Sequence, residues 1–248
     1  MANIQRLDKF LANQNIGSRK EVSALVRKGR VTVGGIVAEK IDMKIDADKD
    51  EIALDGNVIG YSEFVYIMMN KPKGVVSATD DGKCETVVDL VPPELFRRGI
   101  FPAGRLDKNT TGLLIITNDG DMAHRMLAPK SHVYKIYEAE LDAPVTEADI
   151  KAFEEGIKAG EQRFLPASLW LQDENKPHKA TVRIREGKFH QVKRMFAACG
   201  KTVVELKRCK IGGLELDETL SEGACRYLTQ EELELIFSAE CTETTRGF

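Results

Sequence analysis

Residues 113–117 read Leu-Leu-Ile-Ile-Thr, and the segment around them reads "GRLDKNTTGLLIITNDG" from Gly104 to Gly120. The aliphatic run is short and lacks the polar alternation of a half-exposed strand, so it predicts a strand with no solvent face. A chain that hides such a strand must build a core around it. With 248 residues and 42% apolar content this one has the means, as one large domain or as a small and a medium one. One carboxylate, Asp107, stands at the mouth of that strand between an arginine and a lysine. No second acid, histidine or cysteine lies beside it.

Charge is unevenly distributed. Residues 1–30 hold seven Lys/Arg against two acids, and residues 182–210 hold nine against two. Residues 214–248 hold two against nine, so the net charge is only −3. Clustered Lys/Arg is the electrostatic footprint of nucleic-acid binding, although many charge runs are plain solvated faces. The five cysteines, Cys84, Cys199, Cys209, Cys225 and Cys241, form no C-x-x-C pair and are odd in number. That usage fits reduced thiols in the cytoplasm better than a disulfide frame or a zinc site. The N-terminus has no apolar signal core, and no apolar run approaches a membrane span, so a soluble cytoplasmic protein is expected.

The first 60 residues read as a domain of their own. Leu7, Phe10 and Leu11 share one helix face. Ser18 and Glu21 form a capping box ahead of a second helix with Val22, Leu25 and Val26 on its apolar side. Lys20 and Arg27 point away from that side, and Gly29 stops the helix. "RVTVGGIVA" and "DEIALDGNVI" read as short hairpins with Gly-Gly and Asp-Gly turns. Helix, capped basic helix and hairpins in this order resemble the S4-type RNA-binding domain. The resemblance implies phosphate contacts from Arg6, Arg19, Lys20, Arg27, Lys28 and Arg30, which supply affinity without reading bases. The plainer alternative is a small α+β domain with a charged face.

The texture changes after a short linker at residues 57–63. "FVYIMM" is a strand candidate that "NKPKG" ends. "YKIYEAEL" and "ATVRIRE" read as strands, and "TVVELKRCKIGGLEL" as strands about a Gly-Gly turn. "DMAHRML", "TEADIKAFEEGI", "HQVKRMFAAC" and "LTQEELELI" read as helices, the second capped by Thr146 and the last by a Thr229/Glu232 box. Strands and helices mix without strict alternation. This predicts an α+β fold with a mainly antiparallel, mixed sheet flanked by helices. The domains are expected at 1–60 and 61–240, with a tail at 241–248.

Gly104 and Gly112 bracket Asp107 and permit close approach of another backbone or a ligand. A carboxylate at the entry to a core is costly unless a cation stands beside it. It has the chemistry of a nucleophile, a general base or a cation ligand. A metal role needs further ligands, and glycosidases need a second acid. Neither accompanies the motif. An aspartate that merely caps a turn is the structural alternative.

"GRLDKNTTGLLIITNDG" resembles the catalytic signature of the RNA pseudouridine synthases. "NKPKGVVSAT", "EGKFHQVKRMFAACG" and "VVELKRCKIGGLEL" resemble the other motifs of that family, and with the N-terminal domain they cover nearly the whole chain. "PAGRLD" and "HQVKRMFAA" are closest to the branch that modifies small-subunit (16S) rRNA. The alternatives are a synthase for large-subunit (23S) rRNA, a non-catalytic RNA-binding protein of ribosome assembly, and a carbohydrate-active hydrolase.

The resemblance implies that Asp107 is the catalytic carboxylate in converting uridine to pseudouridine, with the base flipped out of its stack. It implies a role for Arg105 in extruding the uridine, and for Tyr137 as the ring that stacks on the base, with Tyr134 the weaker candidate. It places Lys193 against the catalytic acid. Lys193 lies at the border of the helix's apolar face, about 100° from Val192. Arg194, on the outer side, is expected at phosphate, and His190 is expected to face outward. Leu113 is expected to line the uridine pocket because of its proximity. The reaction gains and loses no electrons, so no cofactor, nucleotide or metal is expected. The expected partner is rRNA, naked or in an assembling particle, with no membrane, and a monomer is expected.

Overall fold

A computed structural model of the chain describes residues 2–131 and 133–238. Cys241 and the expected tail at 241–248 lie outside the described residues. Two compact units emerge. One holds the chain up to Val65 together with Phe96–Ile100, and the other holds Tyr66–Leu95 and the chain from Phe101 onward. The division falls after 65 rather than 60, and a short segment from later in the sequence belongs to the first unit.

The first unit contains strands Ile4–Arg6 (β1), Val31–Val33 (β2), Ile36–Val37 (β3), Lys44–Asp46 (β4), Ile52–Leu54 (β5) and Asn57–Val58 (β6), with helices Leu7–Asn13 (α1) and Arg19–Arg27 (α2). The box that starts α2 is reciprocal: Ser18 Oγ accepts from the Glu21 N–H, and the Glu21 carboxylate accepts from the Ser18 N–H at 2.7 Å. Two otherwise orphaned donors are thereby satisfied. Leu7, Phe10, Leu11, Val22 and Val26 are buried with Val31, Ile45 and Ile52 in one core. The sheet order is β3-β2-β5-β6, all antiparallel. Asp55 and Gly56 both take positive φ, 51° and 80°, which lets two residues close β5 onto β6.

The second unit contains strands Tyr66–Lys71 (β7), Phe101–Pro102 (β8), Thr111–Thr117 (β9), Lys135–Leu141 (β10), Lys158–Ala159 (β11), Gln162–Arg163 (β12), Ser168–Leu171 (β13), Lys179–Ile184 (β14), Val203–Ile211 (β15), Leu214–Glu215 (β16) and Cys225–Tyr227 (β17). Its helices are Gly120–Leu127 (α3), Glu147–Glu155 (α4), Gln191–Ala198 (α5) and Gln230–Leu235 (α6). The main sheet runs β13-β14-β10-β15-β9-β7-β17, and off that path β8 pairs with β9 and β16 with β15. Every pairing is antiparallel except β9 with β15, which is parallel. All seven residues of β9 are buried. Leu113 and Ile115 pack with Met68, Ala123, Met126, Ile211, Leu214 and Ile236. Strand β7 does not stop before the "NKPKG" turn but continues through Asn70 to Lys71, whose side chain is fully buried.

The four described cysteines are free thiols, and burial pushes Cys209 up to about 12. No helix among the described residues is long and apolar enough to cross a membrane.

Candidate active site

Asp107 sits on the loop between β8 and β9, and buried donors hold that loop from beneath. Lys71 Nζ donates to the carbonyls of Pro72 (2.9 Å), Lys108 (3.2 Å) and Thr110 (3.1 Å). Ser77 Oγ donates to the Leu106 carbonyl at 3.0 Å and accepts from the Leu106 N–H at 3.1 Å. The Thr110 N–H closes the turn onto the Asp107 carbonyl at 3.0 Å. Lys71 thus satisfies three carbonyls with its three ammonium protons, a use of a buried cation that needs no carboxylate contact. Burial pushes its ammonium down to about 8, against the opposing pull of Asp107.

Asp107 keeps 27% of its side chain exposed, and each carboxylate oxygen has its own cationic or imidazole neighbour. Lys193 Nζ is 3.4 Å from Oδ2, and His190 Nε2 is 3.5 Å from Oδ1. Both come from the start of α5. The turn before that helix is locked by Gln191, which is buried. Its Nε2 donates to Glu186 Oε1 at 2.9 Å, and its Oε1 accepts from the Lys188 N–H at 3.1 Å. His190 takes the left-handed conformation, φ 50°, as the N-cap.

Tyr137 reaches the same place from β10. It pairs in register with Arg208 of β15, and Arg208 pairs in turn with Gly112 of β9. Tyrosine, arginine and glycine therefore stand abreast across three strands. Arg208 is 4% exposed; its Nε donates to the Leu113 carbonyl at 2.8 Å and its Nη1 to the Tyr137 hydroxyl at 3.5 Å. Gly112 has φ 98°, and a Cβ there would lie 2.3 Å from the Arg208 carbonyl oxygen. Only glycine lets β9 and β15 run parallel at this separation.

These groups open on a small, solvent-open cleft. Arg105, Asp107, Lys188 and His190 supply its polar side, Tyr137 a ring, and Leu106, Ile184, Val192 and Leu206 its apolar walls. A flat, polar-edged group fits such a lining, with a carboxylate set beside it. Arg105 is exposed and makes no ion pair or hydrogen bond among the described residues. Tyr134 instead carries the Arg183 guanidinium 5.0 Å from its ring centroid.

Three expected placements need correction. Leu113 is fully buried in the core cluster with Met68 and Ile115, because the two-residue period of β9 turns it away from the cleft. Arg194 donates to the Ala159 carbonyl at 3.0 Å and lies over the Phe164 ring, so it holds the β11–β12 hairpin rather than standing free for phosphate. His190 faces Asp107 and not outward, because it precedes the helix in a left-handed residue and is off the helical wheel. The first unit's cations also divide. Arg6 pairs with Asp8 at 2.9 Å, Arg30 pairs with Asp55, and Arg27 donates to the Ser23 carbonyl at 3.2 Å. Arg19, Lys20 and Lys28 are exposed. Lys71, Ser77 and Arg208 were missed in the sequence. For Lys71 and Arg208 the one signal is a cation embedded in a strand run, as in "MMNK"; Ser77 carries none.

Residues 65–198 match the RNA pseudouridylate synthase family, and residues 5–52 match the S4 domain. An uncharacterized RNA pseudouridine synthase of Bacillus subtilis is 46% identical over 93% of this chain and 98% of its own length. The ribosomal small subunit pseudouridine synthase A of Haemophilus influenzae is 40% identical over 92% of this chain and 98% of its own. A crystal structure of a pseudouridylate synthase, 38% identical, superposes with a TM-score of 0.65 over 94% of this chain and 99% of that one. The chain belongs to the RNA pseudouridylate synthase family. It is an isomerase that acts on RNA, with an S4 domain ahead of its catalytic domain.

Proposed function

We propose that this chain converts a uridine of small-subunit rRNA to pseudouridine, with Asp107 as its catalytic carboxylate. The observation that carries the chemical assignment is the pairing of the two Asp107 oxygens with Lys193 and His190, at a cleft that Tyr137 also lines. Support for the RNA assigned is the near-full-length likeness to small-subunit synthases of Haemophilus influenzae, Escherichia coli and Vibrio cholerae, at 39–41% identity.

In this reading the target uridine leaves its stack and enters the cleft. Arg105, exposed at the rim, helps to extrude it, and the Tyr137 ring packs on the base. Asp107 acts at the sugar, either on C1′ or on the 2′ proton. The N1–C1′ bond breaks, the base turns, and C5 joins C1′. C5 gives up a proton and N1 takes one, so atoms and electrons balance without a redox or nucleotide cofactor. Lys193 orients the carboxylate. Arg19, Lys20 and Lys28 add phosphate affinity, and Arg6, Arg27 and Arg30 add less because they are already engaged. We assign the activity to a monomer in the cytoplasm.

The test is to map pseudouridines in rRNA from a strain lacking this protein and from its parent. One uridine of the small-subunit RNA is expected to lose its carbodiimide-dependent reverse-transcription stop, and wild-type protein restores it where Asp107→Asn does not. A stop lost only from large-subunit RNA would redirect the assignment to that RNA.

A further inference from the structure

The rim of the cleft carries an aromatic step that the chemistry above leaves unused. Phe189 is 74% exposed, the most exposed phenylalanine among the described residues. Its ring stacks on the His190 imidazole, with centroids 3.7 Å apart and planes 19° from parallel. His190 is itself fixed by its left-handed backbone and by its place 3.5 Å from Asp107 Oδ1. The neighbouring Lys188 is committed elsewhere: its Nζ lies 2.9 Å from Glu186 Oε2 and donates to the Arg163 carbonyl at 2.8 Å. One face of the phenyl ring is therefore backed by a held imidazole. The other is left in water, one residue from a group that touches the catalytic carboxylate.

An apolar ring held flat and bare on a rigid turn is suited to a second flat ring. RNA supplies one at this place. When a uridine leaves its stack, the neighbouring base loses a stacking partner, and aromatic side chains replace such partners in single-stranded recognition. We propose that Phe189, backed by His190, is a stacking subsite for the base of a nucleotide adjacent to the target uridine. The inference rests on the assignment of the isomerisation to Asp107. The subsite tolerates any base, because every base has a π-face.

The experiment measures pseudouridine formation against RNA concentration for wild type, Phe189→Ala, Phe189→Leu and Phe189→Trp. The substrate is a small-subunit RNA fragment, intact or with an abasic residue on either side of the target. On intact RNA, Phe189→Ala is expected to raise KM about tenfold. Phe189→Trp should match wild type, and Phe189→Leu, apolar but not flat, should behave like Ala. With the abasic residue on one particular side, wild type should show the same rise, and Phe189→Ala should add nothing to it. Rescue by Leu, or an Ala penalty undiminished on both abasic RNAs, would overturn the subsite. So would a loss confined to kcat, since the ring would then act through His190 on Asp107. If wild type forms no pseudouridine in small-subunit RNA, the substrate assignment fails by itself. The same four proteins are then compared by affinity for decauridylate: weakening by Ala and Leu but not Trp supports the subsite, and equal affinities overturn it.

Discussion

The two units use their cations in opposite ways. In the first, Arg19, Lys20 and Lys28 stand in solvent, the Arg30–Asp55 pair is exposed on both sides, and Arg6 is exposed although its partner Asp8 is buried. In the second, Lys71 and Arg208 are buried beneath the cleft and donate to carbonyls, and Lys193 is half-buried against Asp107. Exposed charge acts over a screened distance and contributes affinity that salt removes. Buried charge fixes geometry, is barely screened, and answers to pH instead. RNA binding and chemistry should therefore come apart under different perturbations.

The largest effect should come from the carboxylate. Asp107→Asn keeps shape and loses both basicity and nucleophilicity, so turnover should fall about a thousandfold or more. Binding measured by filter retention should stay near wild type.

Next is Gly112→Ala. A Cβ there meets the Arg208 carbonyl at 2.3 Å, and φ 98° disfavours any L side chain. A loss of about 3–5 kcal/mol is expected, read as a thermal midpoint lowered by roughly 10 °C. Gly104→Ala should cost less: its new Cβ lies 2.9 Å from the flexible end of Leu127.

Tyr137→Phe removes the hydroxyl that accepts from Arg208 and keeps the ring. Turnover should fall about ten- to a hundredfold with little change in affinity. Tyr137→Ala should weaken both, since base stacking contributes about 1–3 kcal/mol.

A pH test sharpens the contrast further. Burial lowers the native ammonium pKa of both Lys71 and Lys135 to about 8, from 10.5. Between those values the unfolded chain binds protons that the native chain has released. Their contribution to stability is therefore lost as pH falls through about 8 and fully present above 10.5. Urea unfolding at several pH values should show stability rising over that window, and Lys71→Met should reduce the slope. Salt should leave the slope nearly unmoved.

The smallest effect on chemistry should come from Arg19, Lys20 and Lys28 changed together to Gln. Three lost contacts should flatten the salt dependence of log affinity by about 2, near 0.7 per contact on single strands. The same change at Arg6 and Arg30 should do less, because Asp8 and Asp55 already hold them. Substitution is preferable to deleting residues 1–60, because Phe96–Ile100 belongs to the same unit.

Local signals were legible in the sequence, and nonlocal ones were not. The boxes at Ser18 and Thr229, the Asp-Gly turn and the hidden strand at Leu113–Thr117 each depend on residues within a few positions of one another. So does the helix in "HQVKRMFAAC", which buries Val192, Met195 and Phe196. The failures came where a distant strand or a backbone kink decides. The wheel of α5 was extended through His190, but a left-handed residue there ends the helical phase and turns the imidazole toward Asp107. Arg194 lies on the outer side of its helix, but the β11–β12 hairpin covers that side. Gly112 reads as permissive, and its necessity follows from a parallel neighbour ninety-odd residues later. Lys71 and Arg208 sit inside motifs already singled out. That they are buried donors follows only from the sheet order.

The most direct test crosses the two perturbations in one assay. Wild type, Asp107→Asn and the Arg19/Lys20/Lys28→Gln protein are each given rRNA over a range of concentrations at two salt concentrations, with binding and pseudouridine formation read from the same samples. Asp107→Asn should bind as wild type does, with the same salt slope, and form no pseudouridine at any RNA concentration. The triple variant should bind more weakly, with the flatter slope, and recover turnover as RNA saturates it. Pseudouridine formed by Asp107→Asn at a rate near wild type would contradict the account.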